Sequence, residues 1–274
     1  MDRRNFVTLL ITSSVLKNIS FSYASENYSF REELKAFKLQ DVIDSKKYLE
    51  NEAAAVFKVE TQGKLKGARS DLTISEDAIA LLIAAEVSSE ENYKKRLIRP
   101  IWPKGDSGAT IAIGFDIGQG DKDTIRGAWE NYLPNDTVNE LVKCAGKTGL
   151  QGEMCTKKIQ HVVVPWNAAV SQFRYYLPFV VAQTQTAFPN FNLLSPDSRG
   201  ALVSLIYNRG PDVSLRNKRE EMFNIANMML KKDFSEIPGQ IRAMKKLWTK
   251  KDQRGLIIRR ELEAKLFEIG MNKL

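Results

Sequence analysis

The sequence predicts an α+β protein, mostly α. Only one stretch, Thr110-Ile111-Ala112-Ile113-Gly114-Phe115-Asp116, alternates in the way a β-strand does. Beyond it, apolar residues recur at helical spacing over 122–132, 135–144, 166–187, 196–209, 215–231, 234–248 and 252–268. A small sheet element followed by many helices gives an α-weighted α+β layout. At 274 residues the chain can bury one sizeable core plus an appendage, and no repeat of fixed period divides it.

The N-terminus reads as an export signal over residues 1–24. Asp2-Arg3-Arg4-Asn5 is basic, Phe6 to Leu16 is a short apolar run, and Ser22-Tyr23-Ala24 places small residues three and one before a cut. The apolar run is too short to span a bilayer, so no stable membrane span is expected after cleavage. Arg3-Arg4-x-Phe6 also resembles a twin-arginine signal, which leaves both routes open, with the general secretory one favoured. Either route predicts a periplasmic or secreted protein. The alternative is a first amphipathic helix of a cytoplasmic chain.

The formal charge is +8, and removing residues 1–24 takes away three cations and one anion, which leaves +6. A basic mature chain favours polyanionic partners. Nucleic acid is disfavoured, because the sequence holds no zinc-finger spacing, RNA-binding motif or unbroken basic run.

Residues 25–70 read as an N-terminal extension and linker: 31–55 has the pattern of a charged helix, and 58–70 is polar with Gly63 and Gly67. Ser75 is an N-cap followed by Glu76 and Asp77, so a helix is expected over about 76–87. Ser195-Pro196-Asp197 supplies a cap, a proline at the first helical position and an early acid, and the helix it opens should stop near Gly210. Trp129, Trp166, Trp248 and Tyr175-Tyr176 read as core aromatics, although a ring facing substrate stays open.

Cys144 and Cys155 flank a Gly-rich segment, and in an oxidising compartment a bridge closing so short a loop stabilises by about 2–3 kcal/mol. Two buried free thiols are the alternative. Two cysteines and the single His161 do not complete a zinc cage, so no metal is predicted. No cofactor is predicted either: Gly118-Gln119-Gly120 lacks the lysine and spacing of a phosphate loop, and no Gly-x-Ser-x-Gly accompanies His161.

The chemistry concentrates where the apolar run Ile79 to Ala85 ends in Glu86, with the Gly-rich turn and strand 105–116 following. Breaking a glycosidic bond by inversion takes one carboxylic acid to protonate the leaving oxygen and a second carboxylate to activate water on the opposite sugar face. A carboxyl closing a greasy helix suits the first role, since partial desolvation favours its protonated form. The competing readings are structural. Glu86 would be a solvated helix end paired with Lys94, Lys95 or Arg96, and Asp116 a turn residue before Ile117-Gly118.

At Glu86, Thr110 and Asp116 the chain resembles the pesticin-like branch of the phage-lysozyme superfamily, whose members are muramidases. The likeness extends to Glu86-Val87-Ser88-Ser89 with Tyr93, Trp102-Pro103, Ser107 to Gly118, Gly149 to Glu153, Val164-Pro165-Trp166, Leu202 to Gly210 and Arg259 to Phe267. It implies a lysozyme-like fold over 71–274 and the roles of general acid for Glu86, water-positioning hydroxyl for Thr110 and base for Asp116. It also implies peptidoglycan glycan strands as the partner. Asn208 and Arg209, at a helix end, are candidate substrate-binding residues, with capping and an ion pair as the alternative. Ala112 departs from the glycine common at that place.

One difficulty comes from geometry. A straight strand would hold Thr110 and Asp116 about 20 Å apart, so a bend is required, and Gly114 is where one fits. Other phage lysozymes place the aspartate before the threonine, as Asp106 stands here, which makes Asp106 the alternative catalytic base. Two further functional readings remain, a catalytically silent peptidoglycan-binding protein and a chitinase- or chitosanase-like glycosidase. The sequence names no inhibitor or immunity protein.

Overall fold

A computed structural model of the chain describes residues 29–45, 67–216, 218–250 and 253–273. The signal peptide read over 1–24, and residues 25–28 and 46–66 of the extension and linker read over 25–70, lie outside the described residues. The protein is mostly helical with one small antiparallel sheet, as its patterning predicts. Short helices at 29–34 (α1) and 39–45 (α2) come first. Phe30, Phe37 and Val42 from this segment are buried in the same core as the rest of the chain, so the α1–α2 part of the expected extension is integral to the fold.

Helix α3 (Glu76–Val87) begins where the caps predict: the Ser75 hydroxyl accepts the Ala78 N–H, and Glu76 and Asp77 stand in the first turn. The helix buries Ala78, Ile79, Leu81, Leu82 and Ala85, and ends at Ser88 with φ 66°. The Ser88 hydroxyl donates to the carbonyl of Phe37 at 2.8 Å, which fastens the α1–α2 segment to this strained turn. Ser89 then caps α4 (Glu90–Arg96), a helix the hydrophobic pattern does not announce. Its one buried residue, Tyr93, donates from its hydroxyl to the Val164 carbonyl, and burial pushes its phenol well above the ordinary tyrosine value.

The predicted single strand is two. Strand β1 (Thr110–Ile111) turns back through Ala112-Ile113-Gly114 into β2 (Phe115–Asp116), pairing Thr110 with Asp116 and Ile111 with Phe115. Gly114 has φ 83° and Ala112 φ 53°, so two positive-φ residues make the reversal. Strict alternation breaks at this turn: Ala112 and Ile113 are both buried.

Helices α5 (Lys122–Trp129), α6 (Asn135–Val142) and α7 (Gly149–Lys158) follow the sheet, and Trp129 sets its indole edge-on to Phe115. The long α8 (Trp166–Ala187) matches its predicted bounds and touches α4 and α5 as well as α9, so it joins the hairpin side of the molecule to the helical side. On the helical side, α9 (Pro196–Arg209) packs along α12 (Arg254–Met271), with α3 laid against both and α10 (Glu220–Lys231) and α11 (Ile237–Ala243) completing the layer. Helix α9 starts on the Ser195 cap and stops at Gly210, φ 75°, as predicted. Among the described residues no helix is long and apolar enough to cross a membrane.

Candidate active site

Glu86 sits in the last turn of α3, and the helix end carries its carboxyl to the hairpin. Its Oε2 lies 3.8 Å from where a Cβ on Gly114 would stand, and the Tyr207 hydroxyl is the same distance from that point. Its Oε1 accepts from Arg259 Nη1 at 3.2 Å, with side-chain exposures of 12% for Glu86 and 4% for Arg259. This excludes the reading of Glu86 as a solvated helix end. Lys94 and Lys95 pair instead with Glu90 and Glu91 within α4.

Arg259 is held from several sides. Its Nε donates to Glu263 and to the Ser204 hydroxyl, its Nη2 to the Ser204 carbonyl, and its guanidinium lies 5.9 Å from the centre of the Tyr207 ring. Glu263 also accepts from Arg260 at 2.7 Å and from the Ser204 hydroxyl at 2.7 Å. Burial pushes the Arg260 guanidinium down and the Glu263 charge pushes it back up. The result is a buried ionic layer between α9 and α12, and one of its guanidinium nitrogens fixes the direction of Glu86.

The hairpin register answers the distance problem raised by the sequence. Thr110 gives its N–H and takes its carbonyl bond from Ile101, so toward Asp116 it forms a non-hydrogen-bonded pair, the closer of the two antiparallel kinds, with Cα atoms about 4.5 Å apart. Directly paired residues put their side chains on one face. Thr110 and Asp116 are therefore neighbours, and the bend that permits it is a complete chain reversal. Gly114 is two residues from Asp116, a span of at most about 7 Å, so the same hairpin bears both the contact to Glu86 and the aspartate.

Asp116 is held tightly. Its carboxylate accepts from the Gly108 N–H at 3.1 Å through either oxygen and from the Gly118 N–H at 2.9 Å, and it caps the 3-10 turn Ile117–Gln119. Burial pushes its carboxyl above the usual aspartate range, while the amides of Gly108, Gly118 and Gln119 pull it part of the way back. The turn-residue reading thus describes a real part of what Asp116 does. Asp106 lies exposed in the preceding turn, where its main-chain carbonyl accepts from the Gln119 side chain at 3.1 Å.

Asn208 and Arg209 occupy the last turn of α9, both 7% exposed. The Asn208 Oδ1 is buried with no hydrogen-bond partner among the described residues. Arg209 is fastened internally: its guanidinium stands 5.5 Å from the Trp248 ring centre and donates to the Lys218 carbonyl. A surface ion pair for Arg209 does not fit this burial. Cys144 and Cys155 form a disulfide. Among the described residues no group of three or more His, Cys, Asp or Glu side chains is placed to hold a metal.

Arg259 and Tyr207 are the site residues that reading the sequence passed over. Charges at Arg259, Arg260 and Glu263 on an otherwise core-facing helix are the signal that marks a buried ionic set. No protein-family model matches the chain, and no curated protein matches it.

Proposed function

We propose that the chain is a muramidase, an exported hydrolase of the β-1,4 bond between N-acetylmuramic acid and N-acetylglucosamine in peptidoglycan. The observation that carries this reading is the convergence at one hairpin of a partly buried, arginine-aimed Glu86 with a directly paired Thr110 and Asp116. Glu86 delivers its proton to the glycosidic oxygen as the C1–O bond breaks. Asp116 takes a proton from a water that bonds to C1 from the opposite face, and the Thr110 hydroxyl orients that water, so the anomeric configuration inverts. Asn208 follows Tyr207 in sequence, and its buried Oδ1, unpartnered among the described residues, serves an N-acetyl N–H of the substrate only once the side chain turns outward. The bond named here comes from the sequence resemblance.

A second reading, a peptidoglycan-binding protein without turnover, draws on the amide-locked and nearly buried Asp116 carboxylate. One experiment separates them. Purified protein incubated with sacculi should generate new reducing ends, chitin should give far fewer, and Glu86→Gln should lose at least about 100-fold in turnover while keeping its fold. Sacculi that are bound but never cleaved would favour the silent reading, and preferred turnover of chitin the third class. A Glu86→Gln variant above a tenth of wild-type activity would remove Glu86 as the acid.

A further inference from the structure

The disulfide and the candidate base are connected through backbone. Cys144 follows α6 and Cys155 lies in α7, so the bridge closes the segment 145–154 into a loop whose inner edge lies on the hairpin. Gly108 and Thr148 form a β-bridge, the Gly149 N–H donates to the Ser107 carbonyl at 3.0 Å, and the Gly146 N–H donates to the Gly120 carbonyl at 3.0 Å.

The packing there leaves no room for side chains. A Cβ on Gly152 would stand 2.8 Å from the Ser107 oxygen, 2.9 Å from the Gly108 Cα and 3.0 Å from the Lys147 oxygen. One on Gly118 would overlap the Lys147 carbonyl, and one on Gly108 would overlap Gly118. Three glycines thus let the disulfide loop press directly on the two stretches that flank Asp116. Gly108 and Gly118 are the residues whose N–H groups hold the Asp116 carboxylate.

We propose that the Cys144–Cys155 loop is a positioning device for Asp116, keeping Gly108 and Gly118 at the spacing at which both amides point at one carboxylate. The bridge acts through the loop, whose Lys147 carbonyl and Gly152 backbone form the wall behind the hairpin. Both cysteines are buried, Cys144 at 0% and Cys155 at 4% exposure, so the bridge lies inside the folded protein. The catalytic side of the inference rests on the muramidase reading. The positional side does not.

The test compares the full chain with Cys144→Ala/Cys155→Ala by amide hydrogen exchange and by hydrolysis of soluble glycan fragments of peptidoglycan. In the folded double variant the Gly108 and Gly118 amides should exchange at least tenfold faster, while those of Ala78 and Thr124, which donate to the Ser75 and Asp121 caps of α3 and α5, keep their protection. Turnover should fall tenfold or more with the apparent KM within twofold of wild type, a split that a loss of global stability well below Tm does not produce. Gly152→Ala is the second variant: it keeps the bridge, forces the same wall outward and should give the same local loss, whereas Gly127→Ala, with open space around its Cβ, should change neither readout. Unchanged protection of Gly108 and Gly118 in either folded variant overturns the proposal. If the wild-type chain hydrolyses nothing, the muramidase reading fails and the exchange measurement still decides the positional one.

Discussion

Arg259 Nη1 meets Glu86 Oε1 at 3.2 Å across 173 positions of sequence. That nitrogen serves Glu86, while Nε serves Glu263 and Ser204 and Nη2 serves the Ser204 carbonyl. Arg259→Leu takes a charged partner from Glu86 and Glu263 in a nearly dry site, although Glu263 keeps Arg260 and the Ser204 hydroxyl, and should cost about 3–5 kcal/mol in urea unfolding. Arg259→Lys keeps the charge but replaces a rigid fork with a single flexible donor, so the fold should survive while Glu86 loses its aim. Turnover on sacculi should then fall roughly tenfold, the effect of a loosened first contact. Full activity in Arg259→Lys would show that Glu86 is aimed by something else.

The two aspartates of the hairpin region separate by substitution. Asp116→Asn should lower turnover by about 10²- to 10⁴-fold, the usual cost of removing a general base, whereas Asp106→Asn, in an exposed turn, should change it little. The pairing of Thr110 with Asp116 is the reason for this order. Measured on the same sacculi, activity that survives Asp116→Asn but not Asp106→Asn transfers the base to Asp106 and leaves Asp116 as the cap of its 3-10 turn.

Asp116 also predicts a pH signature of stability. Burial raises its carboxyl in the folded state above the ordinary 3.8, with the amides opposing. A raised folded value means the native state binds the proton more strongly than the unfolded chain. The stability contributed is therefore complete below 3.8 and is lost as pH rises through the higher folded value. Asn cannot ionise and escapes this loss. The Tm of Asp116→Asn minus that of wild type should rise with pH across this window and then level off, whatever the constant offset from a poorer amide contact. A difference that falls across the same window would mean that the amides outweigh burial.

What was legible in the sequence was local. Ser75-Glu76-Asp77 and Ser195-Pro196-Asp197 announce α3 and α9 because a cap is satisfied within one turn of itself. Glu86, Thr110 and Asp116 stand out by residue type and order, and the structure brings the last two together and the first to the same hairpin. The hairpin was half legible: the Thr110–Asp116 distance calls for a bend at Gly114, but the stretch alternates as one strand would and Ala112 gives no warning of a positive φ. Helix α7 was hidden by Gly149 and Gly152, which lower helix propensity, yet Gly152 is required where the helix meets Ser107. The Arg259 contact joins two distant segments, and no periodicity encodes which carboxylate a buried arginine will find. The α1–α2 segment reads as an extension with the pattern of a charged helix, because its few apolar residues are sparse among charges.

Phe30 tests whether that segment belongs to the fold. Its ring is 0% exposed, and the helices around it are tied down by Arg31 to Asp77 at 2.6 Å, Lys265 to Glu33 and Arg254 to Asp41. Each of these pairs keeps a partly solvated end, Arg31 at 61% exposure against 8% for Asp77, so each contributes about 1 kcal/mol. The ring contributes more than any of them, because emptying a buried phenylalanine site costs about 3–5 kcal/mol in lost transfer energy and cavity formation. Phe30→Ala should therefore lower the urea midpoint far more than Arg31→Ala does. Because Phe37, seven residues on, gives its carbonyl to Ser88, two positions after Glu86, turnover should fall at temperatures where the variant is still folded. A Phe30→Ala loss below about 1 kcal/mol, with activity unchanged, would return residues 29–45 to the role of a dispensable extension.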